Sequence, residues 1–135
     1  MTVHERWNKL ISETGLIERT DDKGMICQVQ QGFYKGILLA TMNGIYHPFF
    51  EVCSKEDTFP SRTNTEIRFW KSRDFRSKDK LEKAIELVKQ SMREIDSLLE
   101  QGYKQASWYS LDVPEHCLVH YDPEKYESTP LTDGK

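Results

Sequence analysis

The chain holds no apolar run approaching the roughly 20 residues that a membrane-spanning helix needs. It has no CxxC pair. It also lacks GxSxG, GxxxxGK[ST] and GxGxxG, the short signatures that present a serine nucleophile or cradle a phosphate on backbone N–H groups. Those gaps remove the membrane, redox-dithiol, hydrolase and nucleotide-cradling classes from first consideration. The N-terminal stretch MTVHERWNKLISETG carries charges throughout and has no apolar core, so it is not read as a signal peptide. Three widely spaced cysteines, Cys27, Cys53 and Cys117, are too few and too odd for a disulfide framework, and a cytoplasmic location is expected. A net charge of -3 with 30% charged residues supplies no global attraction to nucleic acid or to an anionic membrane. There is no internal repeat and no low-complexity segment.

What the chain does have is one long periodic stretch, Ser77 to Gln101. Leu81, Ile85, Val88, Met92, Ile95 and Leu99 recur at steps of four and three, widened by Ala84, Leu87 and Leu98, with charged side chains opposite. This predicts an amphipathic helix with Ser77 as N-cap and Gly102 as its left-handed stop. Its stripe, roughly 37 Å long at 1.5 Å per residue, asks for a sheet or a second chain as cover, and a homodimer is one way to supply it.

Before it, Thr2 to Thr14 reads as a shorter helix with a Thr2/Glu5 capping box, an apolar face of Val3, Trp7, Leu10 and Ile11, and Gly15 as its end. Leu16 to Thr20 and Met25 to Gln30 read as strands around the turn Asp21-Asp22-Lys23-Gly24. Phe33 to Met42 and Ile45 to Cys53 read as a hairpin about a type I′ turn at Asn43-Gly44, the first strand apolar on both faces and therefore central. Pro48 predicts a bulge or an exposed edge in the second strand of that pair. Glu66 to Lys71 makes a fifth strand, with Ile67 and Phe69 on one face and Arg68 and Trp70 on the other. The segments 107–113 and 118–121 suggest short strands. The whole is an α+β domain spanning 1–122: an N-terminal helix, an antiparallel meander of about five strands and a long amphipathic helix across the sheet, with 123–135 as an irregular acidic tail.

Four groups of residues carry potential chemistry. His116, Cys117 and His120 in EHCLVH have donors suited to zinc, but Pro114 and Val119 disfavour the helix that would converge them, and HExxH is absent. No metal or other cofactor is expected. Cys53 beside Lys55 is a nucleophile candidate if the ammonium lowers its pKa, yet no base is identifiable and buried cysteine more often packs as a small hydrophobe, so an enzyme is not expected. Arg62, Arg68, Arg73, Arg76 and Lys78 lie in a segment, 62–80, with seven basic and three acidic residues and with Trp70 among them. That combination suits phosphates and base stacking, and it makes a nucleic-acid-binding module the alternative reading. Finally Tyr46, Phe50, Trp70, Trp108 and Tyr109 belong to a set of aromatics that exceeds what the core needs. If the sheet face away from the long helix is left open they form an apolar surface there, the equal alternative being a two-layer core in which the first helix and the tail cover that face. The favoured reading is a small non-enzymatic binding protein that recognises another protein, or a small ligand in a concave sheet. Inhibitor, immunity and adaptor proteins of bacteria and phages share this profile.

Overall fold

A computed structural model describes residues 2–21, 29–43, 49–56, 66–74 and 80–114, with only the backbone described at 21, 49, 50, 56 and 70–74. Helix α1 (Val3–Thr14) starts on a capping box: the Thr2 hydroxyl accepts from the Glu5 N–H at 3.1 Å while the Glu5 carboxylate accepts from the Thr2 N–H at 2.7 Å. It ends at Gly15, φ +74°, whose N–H returns to the Ile11 carbonyl. Five strands follow: β1 (Ile17–Asp21), β2 (Val29–Tyr34), β3 (Ile37–Asn43), β4 (Phe49–Glu56) and β5 (Glu66–Asp74). Helix α2 (Leu81–Glu100) comes next, then β6 (Lys104–Ser107) and β7 (Ser110–Asp112).

The protein is α+β, with the long helix packed on an antiparallel sheet. The meander β1 to β5 has the anticipated order, but the sheet has seven strands, β1-β2-β3-β4-β5-β7-β6. Within it, the connections depart from expectation. Phe33 to Met42 is not one strand: Lys35 (φ +50°) and Gly36 (φ +86°) form a two-residue turn of type I′ signature that pairs Tyr34 with Ile37. Asn43-Gly44 is not such a turn, because Asn43 pairs with Phe49 and the connection is therefore longer. Residues 44–48, Tyr46 and Pro48 among them, lie outside the described ones. Strand β4 is no edge, since it is flanked by β3 and β5.

Helix α2 begins at Leu81, with Lys80 at the N-cap and no side chain capping it, later than the periodicity suggested. Ser77 is outside the described residues. At its other end the Gly102 N–H bonds to the Leu99 carbonyl and the Tyr103 N–H to that of Leu98, each at 3.1 Å, with Gly102 at φ +99°. This is a Schellman closure, and it aims the chain into β6.

Both helices cover the same sheet face. Trp7 and Leu10 of α1 and Leu81, Ala84, Val88 and Ile95 of α2 form one cluster with Ile37, Leu39, Val52 and Phe69 of the sheet. The apolar stripe of α2 is thus covered within the chain. Central β3 is buried on both sides, as anticipated: Ile37, Leu38, Leu39, Ala40 and Met42 are all inaccessible. Yet β3 pairs with β4 only from Ala40 to Asn43. Beside its first residues the β6–β7 turn takes over, with the Leu38 N–H donating to the Trp108 carbonyl at 2.7 Å and the Phe69 N–H of β5 to that of Tyr109 at 2.6 Å. The sheet thereby curls until its seventh-strand hairpin touches its third strand.

The Lys35–Gly36 turn offers a direct check on this closure. A Cβ at Gly36 would sit 2.5 Å from Gln105 Oε1 in addition to straining the positive φ. Gly36→Ala is expected to lower stability by ~1–2 kcal/mol in urea unfolding. Part of that loss should be recovered in a Gln105→Ala background, where only the backbone strain remains.

Candidate functional site

With α1 and α2 on one face, the opposite face of the β1–β2 hairpin is left without helical cover among the described residues. Register decides what it displays. Ile17 pairs with Phe33 and Arg19 with Gln31, so alternation puts Ile17, Arg19 and Phe33 together on one face. Glu18, between them, points the other way and accepts from the Trp7 indole N–H at 2.6 Å. Phe33 is itself buried, and two side chains flank its ring. The Trp108 ring stands edge-on at 6.1 Å and 88°, and the Arg19 guanidinium lies 5.3 Å from the ring centroid.

A cleft of about 320 Å³ opens here, with Ile17 and Arg19 of β1 and Phe33 of β2 on one side and Gln105 and Trp108 on the other. Lys35 and Gly36 form its end. The Gln105 amide donates to the Gly36 carbonyl at 2.6 Å, tying β6 to the β2–β3 turn. Ile17, Trp108 and Tyr109 are 62, 54 and 42% exposed, a concentration of large apolar side chains in water at one end of the fold. The two aromatics do not hang on a loose loop. Both their carbonyls accept backbone N–H groups, the Tyr109 N–H meets the Ser107 hydroxyl at 3.2 Å, and the Ser107 and Ser110 hydroxyls meet at 2.9 Å.

The end of the cleft is held electrostatically. Asp96 of α2 accepts from the Tyr34 hydroxyl at 2.8 and 2.9 Å and from the Lys35 ammonium at 2.6 Å. The Lys35 hydrogen bond, then that of Tyr34, holds the Asp96 carboxyl below its ordinary value. Asp96 in turn raises Lys35, and desolvation followed by the Asp96 bond raises Tyr34. Both ion-pair partners are about half exposed, so solvent screens the pair and its contribution is modest.

Of the sequence-derived binding residues, Trp108 and Tyr109 are exposed and adjacent in this site. Tyr46 and the side chains of Phe50 and Trp70 fall outside the described residues. Of the basic set only the Arg68 side chain is described, and it is engaged by Glu66 at 2.9 Å. Arg62, Arg76, Lys78 and the side chain of Arg73 lie outside, as do His116, Cys117 and His120. Among the described residues no cluster of three or more His, Cys, Asp or Glu is placed to hold a metal, and no helix is long and apolar enough to cross a membrane. The expected effect of Lys55 on Cys53 is overturned. Burial, then the charge of Glu51, pushes the Cys53 thiol up to about 12, while Lys55 lies 3.9 Å from Glu94.

Sequence reasoning missed Ile17 and Arg19. A signal was present: Leu16 and Ile17 are adjacent apolar residues opening a strand, so one must face away from the core, and Arg19 follows Ile17 by two.

Two outcomes follow from these titrations. The stabilisation from Asp96 is present above the ordinary carboxylate value and fades as pH falls through its lowered value. That from Lys35 and Tyr34 is full below their ordinary alkaline values and fades above the raised ones. The stability gap between the native chain and Asp96→Asn, followed by thermal unfolding, should therefore be level near neutrality and narrow below about pH 4 and above about pH 10. Second, peptide mapping after iodoacetamide treatment at mildly alkaline pH should find Cys53 unmodified in the native protein and alkylated once urea unfolds it. Comparison with family models, with curated proteins and with solved structures finds no match to this chain, which leaves its own residues as the ground for a functional reading.

Proposed function

We propose that this is a small non-enzymatic binding protein that recognises another protein through the end of its sheet that α1 and α2 leave uncovered, with Trp108 and Tyr109 as anchors. The observation that carries the reading is the combination of exposure and rigidity at the β6–β7 turn: two large rings stand half in water while their backbone is pinned to β3 and β5. Exposed apolar area is unfavourable by about 25 cal/mol per Å², and a fold that fixes such rings in place loses little further entropy when a partner covers them. Aromatic anchors beside an aliphatic residue such as Ile17 match the composition of interface centres. A cytoplasmic setting suits the buried free thiol of Cys53. Of the basic residues behind the nucleic-acid alternative, the one described side chain, Arg68, is paired with Glu66.

The test is recovery of the protein from its own host under gentle conditions, followed by native mass spectrometry. The native chain should carry a stoichiometric protein partner. Trp108→Ala should weaken that complex by about thirtyfold, the ~2 kcal/mol typical of a central aromatic anchor, with an unchanged circular dichroism spectrum. A bare chain, or a complex indifferent to Trp108→Ala combined with Tyr109→Ala, would refute the proposal.

A further inference from the structure

The cleft has a narrower chemistry than the apolar patch around it. Among the described residues that line it two are cations, Arg19 and Lys35, and none is acidic. The two cations differ in state. Lys35 already has Asp96 at 2.6 Å. Arg19 is exposed and rests on the Phe33 ring, and it meets no carboxylate among the described residues. A guanidinium carried on a ring face can still direct N–H donors toward an acceptor, and its planar fork matches the two oxygens of a carboxylate. Beside it Ile17 and Trp108 present apolar surface, with Phe33 buried beneath, and the Gln105 amide adds a neutral polar group to the lining.

Building on the partner-binding reading above, we infer that the cleft receives an acidic–aromatic peptide segment of the partner, its ring set against Ile17 and Trp108 and the neighbouring carboxylate forked by Arg19. The charge complementarity is specific to Arg19, because Asp96 compensates the other cation. Size agrees: about 320 Å³ lies at the low end for ligand sites, room for one aromatic side chain and the carboxylate next to it. The remaining contact area falls to Tyr109 and to the exposed part of Trp108, which lie on the rim.

The experiment titrates the ¹⁵N-labelled chain with two N-acetylated, C-amidated peptides, Gly-Asp-Phe-Gly and Gly-Asn-Phe-Gly. The readout is the indole N–H signal of Trp108, one of three tryptophans, assigned with Trp108→Phe. The acidic peptide should shift that signal saturably and bind at least about tenfold more tightly than its amide counterpart, as expected for a charge-assisted bidentate contact. Arg19→Gln should abolish the preference, Arg19→Lys should retain part of it, and Lys35→Met should leave it intact. Equal affinity for the two peptides, no saturable shift with either, or a preference that survives Arg19→Gln overturns the inference. None of those results touches the partner-binding reading, which fails separately if the host-derived complex is missing or indifferent to the aromatic anchors.

Discussion

A buried backbone N–H must find an acceptor, and at Leu38 that requirement shapes one whole end of the molecule. Leu38 is inaccessible to water, at 2% exposure, and its strand loses β4 as a neighbour below Ala40. Left alone, its N–H would cost about 1–3 kcal/mol of unreturned desolvation. The Trp108 carbonyl supplies the acceptor, and the Tyr109 carbonyl does the same for Phe69 on the far side. One turn thus satisfies two strands that β4 has separated. The Schellman closure at Gly102 is what delivers β6 to this position, since it sets the direction in which the chain leaves α2. Stability and display are then the same constraint: the hydrogen bonds that complete the sheet also fix where two aromatic side chains enter water.

Having both helices on one face follows from the same economy of polar and apolar groups. Trp7 needs an acceptor for its indole N–H and finds Glu18, which alternation has turned toward the helices. Gly32 lets Leu16 and Ile11 close on the strand, for a Cβ there would stand 3.0 Å from Leu16 Cδ1. With α1 seated beside α2, Ile17 and Arg19 of β1 face outward. Phe33 is the exception that is buried on that side, with the Trp108 ring and the Arg19 guanidinium against it.

Legibility in the sequence tracked how local the determining physics is. The capping box of Thr2 and Glu5, the stops at Gly15 and Gly102, the stripe of α2 and the double burial of β3 all rest on residues within a few positions of one another, and each was readable. The hairpin turns were not, because Asn43-Gly44 satisfies the rule for a type I′ turn in isolation while pairing register is settled by the two strands together. The turn that does form, at Lys35-Gly36, puts a lysine at positive φ, which propensity alone disfavours. Strand β6, KQAS, has no alternation to read, being exposed along its length and paired as a strand only with β7 among the described ones. Trp108 and Tyr109 could be flagged as surplus aromatics, but their juxtaposition with Arg19, some ninety residues earlier in the chain, depends on the curl of the sheet.

Lys35 shows how a local violation can be sustained by a distant partner. A non-glycine residue in the left-handed region is unfavourable by about 1 kcal/mol, and it persists here in a turn whose lysine ammonium is drawn to Asp96 on α2, 61 residues away, with the Tyr34 hydroxyl donating to the same carboxylate. The helix therefore steadies the turn, the turn's carbonyl at Gly36 orients Gln105, and Gln105 holds β6 against the cleft. Each link removes freedom from the walls of the cleft. A site assembled in this way has its entropy loss already incurred during folding, so under the proposed partner-binding reading the apolar surface and the Arg19 guanidinium it displays are presented in a geometry that binding would not have to create.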